Sequence, residues 1–194
     1  MPNAEKKLTR VITPPALLSY PHVFKPSRGP KNNPNETEKF SAVFIFVEGT
    51  DLKGLKKAVL LAGEEFFGKE EFAEGVKNGS LRMPFRTDSV AKGYPKDSTF
   101  ISARSQNKPG CVMPYAGEDG RPAPVTDEAI MYPGARVRAS LEAFGYDNIG
   151  KGVSFSLSNI QWLGDGDRLD GRAAAADDFD VVQDADEENV ASLL

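Results

Sequence analysis

Residues 132–163 constrain the fold most strongly, because they form two alternating arms around a glycine-rich connection. In the first arm, residues 135–144, apolar residues occupy every second position, and in the second arm, residues 153–163, they alternate with serines over residues 153–158. A period of two is typical of a half-buried strand. The connection, residues 145–152, supplies the Gly, Asn and Asp residues that turns need. The stretch therefore predicts a long β-hairpin with one apolar face and one polar face.

The rest of the chain is predicted to be mainly β. Residues 40–47 are almost continuously apolar, which is typical of a strand buried on both faces. Shorter strands are predicted at residues 99–105 and 111–115. Residues 13–24 predict a first strand that its prolines confine to a sheet edge, preceded by a loose arm at residues 1–12. Loops are predicted for residues 25–39 and 117–127.

One substantial helix interrupts the strands. Apolar residues recur at helical spacing between residues 52 and 67, after Thr50, a good N-cap residue, and Asp51, whose charge suits a helix N-terminus. Gly68 is predicted to end this helix, and residues 70–76 to add one or two further turns. Strands on both sides of a single main helix predict a small closed or nearly closed barrel.

The cysteine and histidine content limits the chemistry that is available. A single cysteine, Cys111, excludes an intramolecular disulfide, and with His22 as the only histidine a structural zinc site is not expected. We expect Cys111 to be a small core residue and His22 to have a structural or solvent-facing role. No apolar run long enough for a signal peptide or a membrane span is present. These features predict a protein of a reducing cytoplasm, with no metal and no cofactor.

The net charge of −4 hides an asymmetry. Residues 165–194 hold 10 acids and 2 bases, whereas residues 1–164 hold 18 acids and 22 bases, so a body of charge +4 carries a segment of charge −8. This asymmetry indicates a polyanionic partner or contacts made by the tail. We predict one domain over residues 1–172 and a disordered acidic tail over residues 173–194. The tail residues proposed to bind a partner are Asp177, Asp178, Phe179, Asp180, Asp184, Asp186, Glu187, Glu188, Leu193 and Leu194.

Two motifs with catalytic or metal-binding spacing have simpler interpretations. Residues 145–151 fit the spacing of a phosphate-binding P-loop, but Gly152 stands where Ser or Thr would be needed, and no helix follows. Residues 165–171 resemble a calcium loop without its full set of acids, which favours a turn. No nucleophile elbow, catalytic acid pair or dinucleotide fingerprint is found. The chain is therefore predicted not to be an enzyme.

Bases stand beside aromatic residues at several places, and single-stranded nucleic acid binds such surfaces through phosphate contacts and base stacking. The proposed phosphate contacts are Arg136, Arg138, Arg104, Lys108, Arg82, Arg86 and Lys92, and the proposed stacking residues are Tyr94, Tyr115, Phe144 and Tyr146. The alternative is that the arginines only solubilise the sheet and the rings fill the core. Trp162 shares the parity of the serines in its strand, so it lies on the binding face unless a bulge changes that parity.

A series of short motifs, in order along most of residues 9–180, resembles the phage and prophage single-stranded DNA-binding proteins of the T7 type. The motifs include Arg-Met-Pro-Phe-Arg at residues 82–86, Phe-Ile-Ser-Ala-Arg at 100–104, Lys-Pro-Gly at 108–110, Tyr-Pro-Gly at 132–134, Tyr-Asp-Asn at 146–148 and Asp-Asp-Phe at 177–179.

The resemblance implies an OB-fold, a five-stranded barrel with a helix between strands, followed by an acidic tail. It also implies sequence-independent coating of single-stranded DNA in phage replication or recombination. The tail is expected to recruit polymerase, helicase-primase or recombination proteins, and to support a homodimer by occupying a neighbour's groove. Two other functions are kept as hypotheses: a non-catalytic adaptor or scaffold of a phage replication or assembly complex, and a metal-dependent nuclease that uses the acids of residues 165–170.

Overall fold

The structure is a computed structural model that describes residues 8–28 and 37–171. The predictions made for the acidic tail, including its disorder, therefore lie outside the described residues. None of the described helices is long and apolar enough to cross a membrane.

Eight strands and two α-helices make up the described chain. The strands are β1 (Arg10–Ile12), β2 (Ala16–Ser27), β3 (Lys39–Phe46), β4 (Thr99–Ser105), β5 (Gly110–Ala116), β6 (Pro122–Pro124), β7 (Arg136–Asn148) and β8 (Gly150–Gly164). The helices are α1 (Lys53–Phe67) and α2 (Lys69–Asn78). Two 3₁₀ turns, Val90–Lys92 and Glu128–Ile130, lie in the connections.

Five of the strands close into a ring in the order β7, β2, β3, β4, β8 and back to β7. The pairings are antiparallel except between β4 and β8, which run parallel. β1 extends the sheet along β7, and β5 and β6 extend it beyond β8. The mainly β, OB-fold-like five-stranded barrel is thereby confirmed.

The barrel interior is filled by the apolar side chains that occupy every second position of the strands. Phe44 of β3, Ile101 of β4, Leu141 of β7 and Phe155 of β8 are at most 1% exposed. Helix α1 adds a buried stripe that includes Leu55 to the same core. Burying each large side chain contributes about 1.5–3 kcal/mol, so this common core holds the outward-facing residues of the strands in fixed positions.

The hairpin connection is shorter than the predicted residues 145–152. Both arms continue pairing as far as Asn148 and Gly150, and only Ile149 lies between them. The glycines allow close packing instead of a long loop. A Cβ on Gly145 would overlap Phe66 of α1, and a Cβ on Gly152 would overlap the Arg82 carbonyl oxygen.

The first strands also differ from expectation. Residues 10–12, predicted to be loose, form β1 against β7. β2 lies inside the ring, not at an edge, but it pairs with β7 only at Ala16 and Leu17. Pro21 and Pro26 lie beyond the residues that pair with β7, where β2 has β3 as its only neighbour, so their missing N–H groups break no hydrogen bonds to a second strand. The short strand β6 lies within the loop predicted at residues 117–127.

The main helix ends where predicted but begins later. It runs from Lys53 to Phe67, and Gly68 follows with φ 86°. Thr50 does not cap it, because the Thr50 hydroxyl donates to the Val47 carbonyl at 2.7 Å. The Asp51 carboxylate instead accepts a hydrogen bond from the Lys53 N–H at 2.9 Å.

Candidate nucleic-acid interface

A groove of about 480 Å³ lies on the outer surface of the barrel, beside the tip half of the β7–β8 hairpin. Three of the predicted residues, Arg104, Phe144 and Tyr146, line it together. The full lining is Lys39, Arg104, Ser105, Gln106, Asn107, Phe144, Tyr146, Asn148, Ser154, Phe155 and Ser156.

Strand register explains why these residues meet. Arg104 of β4 is paired with Ser156 of β8, and Phe144 of β7 is paired with Ser154 of β8. The cation and the ring therefore lie on either side of β8, about 10 Å apart across two strand spacings. Small serine side chains occupy the strand between them. They leave an open channel because they do not fill the space between the cation and the ring.

The groove offers flat rings at one wall. Phe144 is 42% exposed, which is unusual for a phenylalanine in a strand, and Tyr146 follows it on the same face of β7. An exposed ring is unfavourable in water. Stacking of a base on the ring is favourable and contributes about 1–3 kcal/mol per base to binding.

Cations stand at the opposite wall. Arg104 is exposed on β4, and Lys39 begins β3 beside it. Glu142 of β7 lies across Ser156 from Arg104, and at the tip Asp147 pairs with Lys151 at 3.1 Å. Cations on one wall and rings on the other match the chemistry of an extended polynucleotide strand, with phosphates on one side and bases on the other.

The structure does not bring Arg136 and Arg138 into this groove. They lie at the other end of β7, and Arg138 is about 20 Å from Phe144 along the strand. Arg138 Nε donates to Gln161 Oε1 at 2.6 Å, and Gln161 Nε2 donates to the Met113 carbonyl at 2.9 Å. At this base end of the hairpin, Arg138 is therefore held by hydrogen-bonded neighbours.

Tyr115 and Lys108 also lie outside the groove. Tyr115 belongs to β5 and is 58% exposed. Lys108 places its ammonium 5.7 Å from the centre of the Phe24 ring. Tyr115 is thus exposed on the sheet extension, and Lys108 is exposed on the loop that precedes β5.

Arg86, Lys92 and Tyr94 belong to a segment that covers the outer side of β4. The Arg86 guanidinium lies 5.0 Å from the centre of the Phe100 ring. It also pairs with Asp88 at 2.7 Å, which lowers the pKa of that carboxyl. Tyr94 donates to Ser19 Oγ at 3.2 Å and packs edge-on against Phe100, and burial raises the pKa of its hydroxyl. The contacts of Arg86 and Tyr94 are those of structural residues, whereas Lys92 is simply exposed.

Arg82 lies at the hairpin tip. Its N–H donates to the Lys151 carbonyl at 2.9 Å, and its carbonyl accepts from the Val153 N–H at 3.0 Å. The guanidinium packs over Gly150. Arg82 therefore places a cation close to the groove, although it does not line it.

Trp162 faces inwards because β8 contains a bulge. Ser140 pairs with Asn159 and Leu141 pairs with Leu157, which leaves one extra residue, Ser158, in β8. The parity changes there, so Trp162 packs against the core and Gln161 faces outwards to meet Arg138. Of the two alternatives for Trp162, the bulge is the correct one.

Residues 165–171 form a turn that is held by Tyr132 and by an ion pair within the turn. Tyr132 shares hydrogen bonds with Asp165 and Gly166, and Arg168 lies 4.7 Å from the centre of the Tyr132 ring. Arg168 also pairs with Asp170 at 2.9 Å. Within residues 8–28 and 37–171, no three His, Cys, Asp or Glu side chains are grouped so as to hold a metal ion. The P-loop spacing likewise falls on a strand–turn–strand segment.

Sequence reasoning missed Lys39, which it assigned to a loop, and did not single out Asn148 or Ser154. Lys39 directly precedes the apolar run of β3, and extending that run by one residue would have placed it on the sheet. The small size of Ser154 was visible, but its importance depends on which residues lie on either side of β8.

Comparisons with known proteins identify a matching family. The model of a family described as the ssDNA-binding protein of Enterobacter phage Enc34 matches residues 9–190. Protein p50 of Acyrthosiphon pisum secondary endosymbiont phage 1 is 30% identical, over 89% of this chain and 94% of that protein.

Two solved structures share the fold. The bacteriophage Enc34 single-stranded DNA-binding protein in complex with ssDNA superposes with a TM-score of 0.63 at 18% identity, covering 84% of this chain and 90% of that one. The single-stranded DNA-binding protein encoded by bacteriophage T7 gives a TM-score of 0.58 at 13% identity, covering 87% and 98%.

Because the family is one of DNA-binding proteins and not of enzymes, the prediction of a non-enzymatic chain is confirmed. The resemblance drawn from the motif series is confirmed as well. A barrel of this topology, a groove of cations and rings, and a family match over most of the sequence lead to one conclusion: the chain belongs to the family of the Enterobacter phage Enc34 ssDNA-binding protein.

Proposed function

We propose that the chain coats single-stranded DNA without sequence specificity during phage DNA replication or recombination, in the cytoplasm of a bacterial host. The groove between β4 and the tip half of β7 is the observation that carries this proposal. It places Lys39 and Arg104 opposite Phe144 and Tyr146 across a row of serines. The family membership supports the same function.

The mechanism follows from the two walls. Phosphates contact Lys39 and Arg104 and release counterions, whereas bases stack on Phe144 and Tyr146. Neither contact reads a base edge, because ring faces and phosphates are common to all nucleotides. The groove is therefore suited to any sequence, and Arg82 at the tip lies where it extends the cationic path.

We further propose that residues 173–194 recruit replication or recombination proteins, such as a polymerase, a helicase-primase or a recombinase. The acids of this tail suit a basic partner site, and its terminal Leu193 and Leu194 suit an apolar pocket. The same acids compete with DNA for the cationic wall, within one chain or between two chains of a homodimer.

Fluorescence anisotropy tests this function directly. A labelled oligo-dT of about 20 nucleotides is titrated with the full chain and with a form ending at Arg172, over about 50 to about 300 mM salt. We expect both to bind, affinity to fall with salt, and the shorter form to bind more tightly. If the two forms bind with equal affinity, only the proposal of a competing tail is contradicted, and the DNA-binding function stands.

Failure of both forms to bind at low salt would contradict the DNA-binding function. The adaptor or scaffold hypothesis would then explain the chain better. A groove variant, Phe144→Ala with Tyr146→Ala, shows whether any binding that is seen uses the groove. Its matched control is Tyr115→Ala, which removes an exposed ring outside it.

A further inference from the structure

The tip of the β7–β8 hairpin carries an apolar side chain where a polar one would be expected. Ile149 is 93% exposed, more than any other large apolar side chain in the described part of the chain. Hairpin tips normally use Asn, Asp or Gly, and β-branched residues are unfavourable there. Nothing in the described fold packs on this side chain, so folding alone does not explain it.

The tip is held firmly in place. The Asn148 side chain accepts the Ile149 N–H at 2.6 Å, and Lys151 pairs with Asp147 at 3.1 Å. Arg82 adds backbone hydrogen bonds to both sides of Gly152. The isoleucine therefore stands on a braced hairpin end and is not part of a long flexible loop.

The tip is also where the groove ends. Asn148, immediately before Ile149, lines the groove, and Tyr146 lies on the same arm. A single strand that follows the groove towards the tip thus leaves it beside Ile149, where Lys151 is a cation of the second arm and Arg82 packs against that arm.

We infer that Ile149 acts as a wedge at junctions between single-stranded and duplex DNA, where it separates the terminal base pair. The inference rests on the proposed function, because it needs a strand in the groove. Apolar side chains such as Ile, Leu and Phe can insert between base steps and unstack them. A wedge at the groove end lets the protein extend its coat into a duplex while the groove takes up the released strand.

The test uses a forked DNA with an oligo-dT arm of about 20 nucleotides and 2-aminopurine in the terminal base pair. Arms of both polarities are used, with the full chain as it exists. Fluorescence of 2-aminopurine reports unstacking, and anisotropy of a separate labelled oligo-dT reports binding in the groove.

The matched variants are Ile149→Ser, Ile149→Leu and Val90→Ser. Val90 is 69% exposed on a 3₁₀ turn that does not line the groove, so its serine variant controls for loss of exposed apolar surface. We expect Ile149→Ser to reduce the fluorescence rise about fivefold, with oligo-dT affinity changed less than about twofold, because the stacking rings are retained. Leucine should restore the rise and Val90→Ser should leave it unchanged.

The other outcomes are distinguishable. An unchanged rise for Ile149→Ser, with normal oligo-dT binding, overturns the wedge but leaves the proposed function standing. Loss of oligo-dT binding by the unaltered protein removes both. If sedimentation shows that Ile149→Ser dissociates a dimer while fork opening persists, the tip is a contact between copies of the chain and the wedge is overturned.

Discussion

The two ends of strand β7 carry the same alternating pattern but present different surfaces. At the tip end, Phe144 and Tyr146 border a groove, and at the base end Arg136 and Arg138 are exposed outside it. The difference arises in β8, where Ser154 stands beside Phe144 and Gln161 stands beside Arg138. A small neighbour leaves space for a ligand, whereas a long amide occupies that space and binds the guanidinium. The lesson is that outward-facing residues gain their role from the size of their cross-strand neighbours.

The largest expected effect comes from the rings at the tip end. Phe144→Ala with Tyr146→Ala should weaken oligo-dT binding by about 2 kcal/mol or more, because two stacking platforms are removed. Anisotropy at fixed salt measures this loss. A smaller loss than that of the base-end variant, Arg136→Ala with Arg138→Ala, would reverse the comparison.

Gly152→Ala tests the support of the tip end. The added Cβ would overlap the Arg82 carbonyl oxygen, so the segment that braces the hairpin must move. We expect a loss of about 1–3 kcal/mol in the free energy of unfolding, measured by urea titration. Gly166→Ala is the matched change at the base end, where a Cβ would overlap the Gly134 carbonyl oxygen. Preserved stability in Gly152→Ala would show that the Arg82 contact is easily displaced.

The cationic wall should account for part of the salt dependence. Lys39→Ala with Arg104→Ala should lower the slope of log affinity against log salt by about 1.4, since each lost phosphate contact removes about 0.7 on single strands. Lys96→Ala serves as the control, because Lys96 is exposed and lies outside the groove. An unchanged slope in the double variant would place the phosphates elsewhere.

The base end should contribute less. Because Arg138 is already bonded to Gln161, we expect Arg136→Ala with Arg138→Ala to weaken oligo-dT binding by less than about 1 kcal/mol. The same titration over the salt series measures it. If the slope instead falls as far as in the groove variant, the strand continues along the whole of β7, and the two ends form one binding surface.

The smallest expected effect concerns Cys111 of β5, at the base end. Burial raises the pKa of its thiol to about 11, so little thiolate is present at neutral pH and labelling by a thiol reagent should be slow. DNA bound at the tip end should not change the labelling rate. Because the folded state holds this proton more tightly than the unfolded chain, the thiol lowers stability only as pH rises above the ordinary value of 9.0 towards about 11. Strong protection by oligo-dT would show that DNA reaches β5.

Much of the fold could be predicted because its strands repeat with a period of two. The apolar run at residues 40–47 and the alternation at residues 99–105 both lie on real strands, and Gly68 ends the main helix as expected. The prediction of the hairpin connection was wrong because glycine occurs both in turns and where another segment packs closely on the backbone. Gly145 and Gly152 were taken as turn residues, but they are needed where Phe66 and Arg82 approach the backbone.

The site could be predicted only in part, for a related reason. Arg104, Phe144 and Tyr146 were recognisable as exposed bases and rings, but their meeting depends on the parallel pairing of β4 with β8. That pairing joins residues about 50 positions apart and leaves no local signal. Arg86 and Arg104 are the same type of residue. Only the structure shows that Arg86 forms an ion pair with Asp88 and lies over the Phe100 ring.

The position of β8 in the chain has a consequence for synthesis. Its outer edge receives Arg82, β4 and β5, all of which precede it, while β7 holds its other edge. During synthesis on the ribosome, β4, β5 and β7 therefore lack their pairing partner until β8 has been made, and the ring cannot close before then. A chain that ends before β8 thus lacks Ser154, Phe155 and Ser156 of the groove lining, so under the proposed function an unfinished copy cannot hold DNA there in place of a complete one.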